Sequence, residues 1–247
     1  MYSFTTDRDI GQKAVLRIHG IKKKRAVYIT ESKDPTNELG KFIETDGKFS
    51  QLPSVDSRDV LYIAGPSGSG KSTYLCSYMK NFSDIFPEAK IYLFSRIADE
   101  KSYSGCIRIV LDEIYIQSPL KTDDFPDGSL LIFDDIDTIQ DKKLLAAVLK
   151  TRADILEIGR HKNLYTAVTS HLLTDGQKTR EVINEATSIT FFPQACNAAT
   201  IRDYLVRKQG FGTKMANKLL SIEARWVTIH MRFPRYWFTE KAASMLN

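Results

Sequence analysis

From residue 59 onward, short apolar runs alternate with amphipathic stretches. Asp59-Val60-Leu61-Tyr62-Ile63-Ala64 has the length and continuity of a strand buried on both faces. After a Gly/Ser-rich break, Leu75, Tyr78, Met79 and Phe82 recur at helical spacing and predict a helix over 72–82. Further strands are predicted at 90–95, 107–110, 130–133, 164–170 and 188–192. Leu144, Leu145, Val148, Leu149, Ile155 and Leu156 mark a long amphipathic helix, and another helix is predicted near 179–186. Strands that alternate with helices predict a mostly parallel sheet with helices on both faces. Helical segments near 197–208 and 213–222, then two strands around Pro234, complete this part of the chain.

The first 57 residues follow a different pattern. Residues 14–18 and 26–29 flank a basic turn, Lys22-Lys23-Lys24-Arg25, and predict a hairpin. Phe42-Ile43, Asp46-Gly47 and Phe49 predict a second short hairpin with a tight turn. Lys33 to Gly40, with Asp34-Pro35, reads as loop. The expected organisation is a small β-rich appendage over 1–57 and an α/β domain over 58–247 with C-terminal helical and β additions.

The break after the first α/β strand carries the chemistry. Gly65-Pro66-Ser67-Gly68-Ser69-Gly70-Lys71-Ser72-Thr73 fits G-x-x-x-x-G-K-[ST], and it stands between a strand and a helix, as a phosphate-binding loop must. Its glycines let the backbone turn several N–H groups toward a triphosphate at the helix N-terminus. Lys71 would reach the β- and γ-phosphates, and the Ser72 hydroxyl would hold Mg²⁺.

A second motif supports the first. Leu130-Leu131-Ile132-Phe133-Asp134-Asp135 is a buried strand that delivers two acids to its C-terminal end, where ligands of such sheets bind. Asp134 is the expected Mg²⁺ acid, and Asp135 would orient or deprotonate water. Asp137-Thr138-Ile139-Gln140 resembles a capping box, which assigns Asp137 to the next helix. Ser170-His171 ends the fourth strand of the α/β region, where His171 could sense the γ-phosphate or simply cap the strand. In Gly159-Arg160-His161-Lys162, the cations either complement a helix C-terminus or supply Arg160 to a neighbouring subunit's nucleotide. Arg152 and Arg180 are its rivals. A double acid favours hydrolysis of ATP over transfer of its phosphate.

Charge adds a partner class. The net charge is +5, distributed as +3 over residues 1–58, −4 over 59–195 and +6 over 196–247. An acidic core with basic flanks suits a polyphosphate backbone, and equally a solvated basic surface. Cys76, Cys106 and Cys196 form no C-x-x-C pair and are expected as buried, reduced thiols. No secretory h-region and no apolar run of about 18 residues is present, so a soluble, intracellular protein is expected.

Taken together, the P-loop, LLIFDDID, EIGRHKN and NLYTAVTSH resemble the FtsK–HerA superfamily of DNA-pumping ATPases. The genome-packaging ATPases of large double-stranded DNA viruses and their virophage relatives are the most similar, and the tail ARWVTIHMRFPRYWFTEKA is similar to that group. The likeness covers roughly residues 58–240. It implies a RecA-like, additional-strand P-loop fold, ATP and Mg²⁺ as cofactors, and a hexameric or pentameric ring threading duplex DNA. It also implies a capsid, portal or nuclease partner and a location in the host cytoplasm, a viral factory or the virion. Asp135 stands where glutamate is common, and His171 where many members have glutamine. GPSGSGKST is also similar to the loop of guanylate kinases. A nucleotide-switched scaffold without turnover is the non-enzymatic alternative.

Overall fold

The structure, a computed structural model, describes residues 2–20, 25–31, 40–96 and 103–246. The basic turn at 22–24 and most of the expected loop at 33–40 lie outside the described residues. In chain order the first strands are β1 (Tyr2–Thr5), β2 (Lys13–His19), β3 (Arg25–Glu31), β4 (Phe42–Glu44), β5 (Lys48–Gln51) and β6 (Val60–Ala64). Then come α1 (Lys71–Ile85), β7 (Ile91–Ser95), β8 (Ile107–Ile109), α2 (Glu113–Gln117), β9 (Leu130–Asp134) and α3 (Lys142–Ile158). The rest is β10 (Tyr165–Ser170), α4 (Gly176–Glu185), β11 (Ser188–Phe191), α5 (Ala198–Asp203), α6 (Thr213–Leu220), β12 (Val227–His230), β13 (Tyr236–Phe238) and β14 (Ala242–Met245).

Ten strands form the main sheet, in the order β4-β14-β13-β12-β11-β6-β10-β9-β7-β8. From β11 to β8 all neighbours are parallel. β10 lies between β6, which leads into the phosphate loop, and β9, which carries the acids. That interposed strand is the additional strand expected of a RecA-like P-loop fold. Every residue of β6, β9 and β10 is buried, as continuous apolar runs in a two-sided sheet require.

Alternation along β6 divides the core. Val60, Tyr62 and Ala64 face a cluster with Val148, Ile155, Val182 and the C-terminal helices. Leu61 and Ile63 face the opposite cluster, with Leu75, Tyr78 and Phe82 of α1 and with Leu16, Val27 and Phe49 of a smaller sheet. Phe94 stacks on Phe133 across β7 and β9, with centroids 4.5 Å apart.

The predicted hairpin over 14–29 is present as β2 and β3. The second predicted hairpin is not. β4 pairs with β14 at the edge of the main sheet, whereas β5 pairs with β2 in the small sheet of order β1-β3-β2-β5. Asp46-Gly47 therefore joins two sheets. Gly47 lies so close to His19 that a Cβ would stand 2.1 Å from its carbonyl oxygen, so glycine is required there for close approach. Buried polar contacts fix β5 against the main body: Gln51 Nε2 donates to Ser188 Oγ at 3.0 Å, and Tyr74 OH donates to Gln51 Oε1 at 2.9 Å. The three cysteines form no disulfide, and they are half-buried rather than buried as expected.

Candidate active site

The loop between β6 and α1 is shaped by glycine, and of its amides Gly65 donates to the Ser170 carbonyl at 3.0 Å and Ser69 to the Pro66 carbonyl at 3.2 Å. Gly68 and Gly70 have φ of 76° and 111°, a region that other residues avoid. Gly70 occupies the N-cap of α1, no side chain caps that helix, and no acid stands in its first turn. Its N-terminal amides and positive dipole end are thus available to an anion. Gly65 has no room for a side chain: a Cβ would stand 2.6 Å from the Phe192 ring and 2.8 Å from Ser69 Oγ. Ser69 Oγ is buried and has no hydrogen-bond partner. Such an orphaned hydroxyl beside open amides fits a bound phosphate. Ser72 is half-buried and Thr73 exposed on the same turn, while Pro66 and Ser67 shape the rim of the loop.

The acids meet this loop at one point. Lys71 Nζ donates to the Gly65 carbonyl at 2.9 Å and lies 3.6 Å from Asp135 Oδ1. His171 Nε2 is 3.1 Å from Asp135 Oδ2. Thr169 Oγ1 accepts the Asp135 amide at 2.8 Å and lies 2.8 Å from Asp134 Oδ1 and 3.1 Å from Asp135 Oδ1. Tyr103 OH donates to Asp134 Oδ1 at 2.9 Å. The register explains the meeting. Val168 pairs with Phe133, so the next residue on each strand, Thr169 and Asp134, stand side by side at the C-terminal edge.

Burial raises the pKa of Asp134, while hydrogen bonds from Thr169 and Tyr103 oppose the rise. A buried acid held this way is best satisfied by a cation. Among the described residues no group of three metal-binding side chains exists. One carboxylate and one hydroxyl, with the remaining ligands from phosphate and water, is the pattern Mg²⁺ takes at nucleotide sites, and Asp134 with Ser72 fits it.

The structure corrects the sequence reading of Asp137. The N-cap of α3 is Asp141, whose Oδ1 accepts the amides of Lys143 and Leu144. Asp137 instead turns toward the site, where its Oδ2 accepts from Ser170 Oγ at 2.9 Å and from the His171 amide at 3.3 Å. Asp141 has Leu144 where Asp137 has Gln140, but it stands directly before the first turn of α3, and that position decides the cap. Thr169 and Tyr103 escaped the sequence reading, and Asp137 entered it only as a cap. For Thr169 the signal was available, because a strand placed between loop and acids must present its last residues to both.

Arg160 is not brought to this cluster. It is exposed in a 3₁₀ turn, Gly159–Lys162, before β10, at the end of the sheet opposite Thr169 and Ser170. Arg152 is 3% exposed and lies 3.9 Å from the exposed Glu181 carboxylate, so its burial keeps it from reaching another subunit. Arg180 is exposed on α4. An unforeseen cation, Arg225, borders the loop: its Nε lies 3.2 Å from where a Cβ on Gly70 would stand.

No protein-family model matches the chain. Among solved structures, the cytoplasmic domain of the type VII secretion ATPase EccC from Thermomonospora curvata matches 80% of this chain and 28% of its own, at 14% identity and a TM-score of 0.53. At that identity the likeness is one of fold, and it agrees with the P-loop ATPase architecture. The genome packaging NTPase B204 of Sulfolobus turreted icosahedral virus 2, in complex with AMPPCP, matches 70% of this chain and 93% of its own, at 15% identity and a TM-score of 0.47. No helix among the described residues is long and apolar enough to cross a membrane. In sequence, the uncharacterized protein V3 of Sputnik virophage is 40% identical over 240 residues, which are 95% of this chain and 96% of that protein. The virophage kinship and the P-loop ATPase fold expected from the sequence are thus both present, and the chain belongs to the family of the Sputnik virophage protein V3.

Proposed function

We propose that this protein is an ATP hydrolase that translocates double-stranded DNA and packages a viral genome into its capsid. The observation that carries the reading is the convergence on Asp135: Lys71 at 3.6 Å, His171 at 3.1 Å and Thr169 at 3.1 Å surround one carboxylate beside an uncapped helix N-terminus. The loop from Gly65 to Thr73 binds the triphosphate. Mg²⁺, held by Ser72 and Asp134, would neutralise charge on the β- and γ-phosphates. Lys71 exchanges its contacts with the Gly65 carbonyl and Asp135 for phosphate oxygens. That frees Asp135 to align water, and His171 follows the change through its contact with Asp135 Oδ2. Arg160, remote from its own chain's loop, reaches the nucleotide of the next subunit in a hexameric or pentameric ring and offsets charge developing there. Basic flanks hold the DNA backbone without reading bases. A capsid, portal or nuclease partner, and a site of action in the host cytoplasm, viral factory or virion, belong to the same reading.

The test is ATP hydrolysis with and without duplex DNA across protein concentration. Phosphate release that rises with DNA and more than linearly with protein is the expected result. Phosphate appearing on GMP instead supports a nucleotide kinase. Tight ATP binding without release supports a non-hydrolysing scaffold.

A further inference from the structure

We propose that the nucleoside end of the nucleotide occupies a cavity between α1, β5 and the segment entering β12, so that the N-terminal strands complete the nucleotide site. The inference rests on the ATPase reading and adds to it the place and chemistry of base and sugar. The cavity measures about 490 Å³, begins at Gly70 and Thr73 of the phosphate loop, and continues along the α1 face that carries Ser77 and Lys80. Its size lies within the range of small-molecule sites.

Direction is set by the sheet. Asp134, Asp135 and His171 stand on the β9 and β10 side of β6, whereas Arg225 and Trp226 lead into β12 on the β11 side. A triphosphate whose last phosphate lies at Asp135 therefore crosses Gly70 with its nucleoside directed to the cavity. On the acid side, the cavity behind Asp137 and Ser170 measures about 10 Å³ and has no room for a base, and the larger one beside Ser95 and Ile139, about 550 Å³, is lined by no residue of the phosphate loop.

The walls suit a nucleoside. Trp226 is held edge-to-face by Tyr74 and Phe238, with centroids 4.9 and 5.5 Å away, so its ring is fixed at the cavity. Phe49 of β5 lines the same space, and β5 is itself fixed by Gln51 to Ser188 and by the Asn81 amide group, which donates to Ser50 Oγ at 2.8 Å. Arg225 is exposed and forms no ion pair with a described residue. It stands where the phosphate nearest the sugar would pass. Ser77 and Glu240 supply hydrogen-bonding groups for sugar hydroxyls or a base edge.

The test compares Mg·ATP with magnesium tripolyphosphate, which fills the phosphate loop and lacks a nucleoside, by calorimetry. Ser77→Trp fills the cavity from an exposed helix position. It is expected to weaken ATP on the order of tenfold, the scale of one lost aromatic–base contact, and to leave tripolyphosphate unchanged. A second measurement does not depend on that variant: with Trp237→Phe removing the other indole, ATP should alter Trp226 emission and tripolyphosphate should not. Unchanged ATP affinity in Ser77→Trp, or equal emission changes with both ligands, would overturn the pocket assignment. Lys71→Ala is expected to weaken both ligands, and if it weakens neither, the phosphate-loop reading itself falls.

Discussion

A left-handed backbone at Asp135, φ 45° and ψ 37°, sends the second acid toward Lys71 and His171. Aspartate and asparagine tolerate that conformation better than most residues. Asp135→Asn should therefore keep the fold and ATP binding, and lower kcat by roughly 10²–10⁴-fold, the usual contribution of a positioned base. Nucleotide titration and phosphate release on the same preparation check it, and full turnover would remove the assigned role. Gly65→Ala probes the other wall. Its methyl group meets the Phe192 ring at 2.6 Å, so we expect a loss of about 1–3 kcal/mol in stability together with weaker ATP binding, read by thermal melting and titration. Gly65, Lys71, Asp134 and Asp135 were legible because the motif constrains backbone and charge locally. Phe192 and Tyr103 were not, since each reaches the site from a distant strand or loop.

At the scale of elements, the period of apolar residues was sufficient to place every strand of the parallel sheet, and α1 and α3 as well. The local sequence placed the cap of α3 at Asp137, because Asp137 and Gln140 have capping-box spacing before the helical pattern, whereas Asp141 takes the cap in the structure. The C-terminal strands allow a test of their own. His230 of β12 stacks on Tyr236 of β13 at 4.8 Å, and burial lowers its pKa from 6.5 to about 4. Between those values the unfolded chain binds a proton that the folded chain does not. The stability contribution of neutral His230 is therefore complete above pH 6.5 and is lost as pH falls toward 4, by at most about 3 kcal/mol. His230→Phe should flatten that part of the stability–pH curve, measured by urea unfolding at pH 7 and pH 4.5. An unchanged slope would show that His230 does not contribute it.

For the whole molecule, the separation between Arg160 and the Asp135 cluster matters most. Arg58, 5% exposed, donates to the Ile155 and Leu156 carbonyls at the end of α3 and so holds the turn that presents Arg160 outward. An arginine exposed at the sheet end away from its own phosphate loop is placed to act on a second copy of the chain. Arg160→Ala should bind ATP as tightly as the natural protein while losing its rise in activity with concentration. Mixing it with Lys71→Ala should restore part of that activity, because each chain supplies what the other lacks. Mixed assemblies with no activity at all would remove the support for action between subunits.

The sequence by itself determined the phosphate loop, the paired acids and the order of the parallel strands with α1, α3 and α4 among them. These depend on residues near one another in the chain and on a periodicity that one element suffices to express. Only the tertiary structure decided that β4 and β5 part into different sheets, that Asp137 serves His171 instead of a helix, and that Arg225 and Trp226 border the loop from more than 150 positions away. Those outcomes are set by strand pairing and by competition for hydrogen-bond partners, which exist only once distant segments have met.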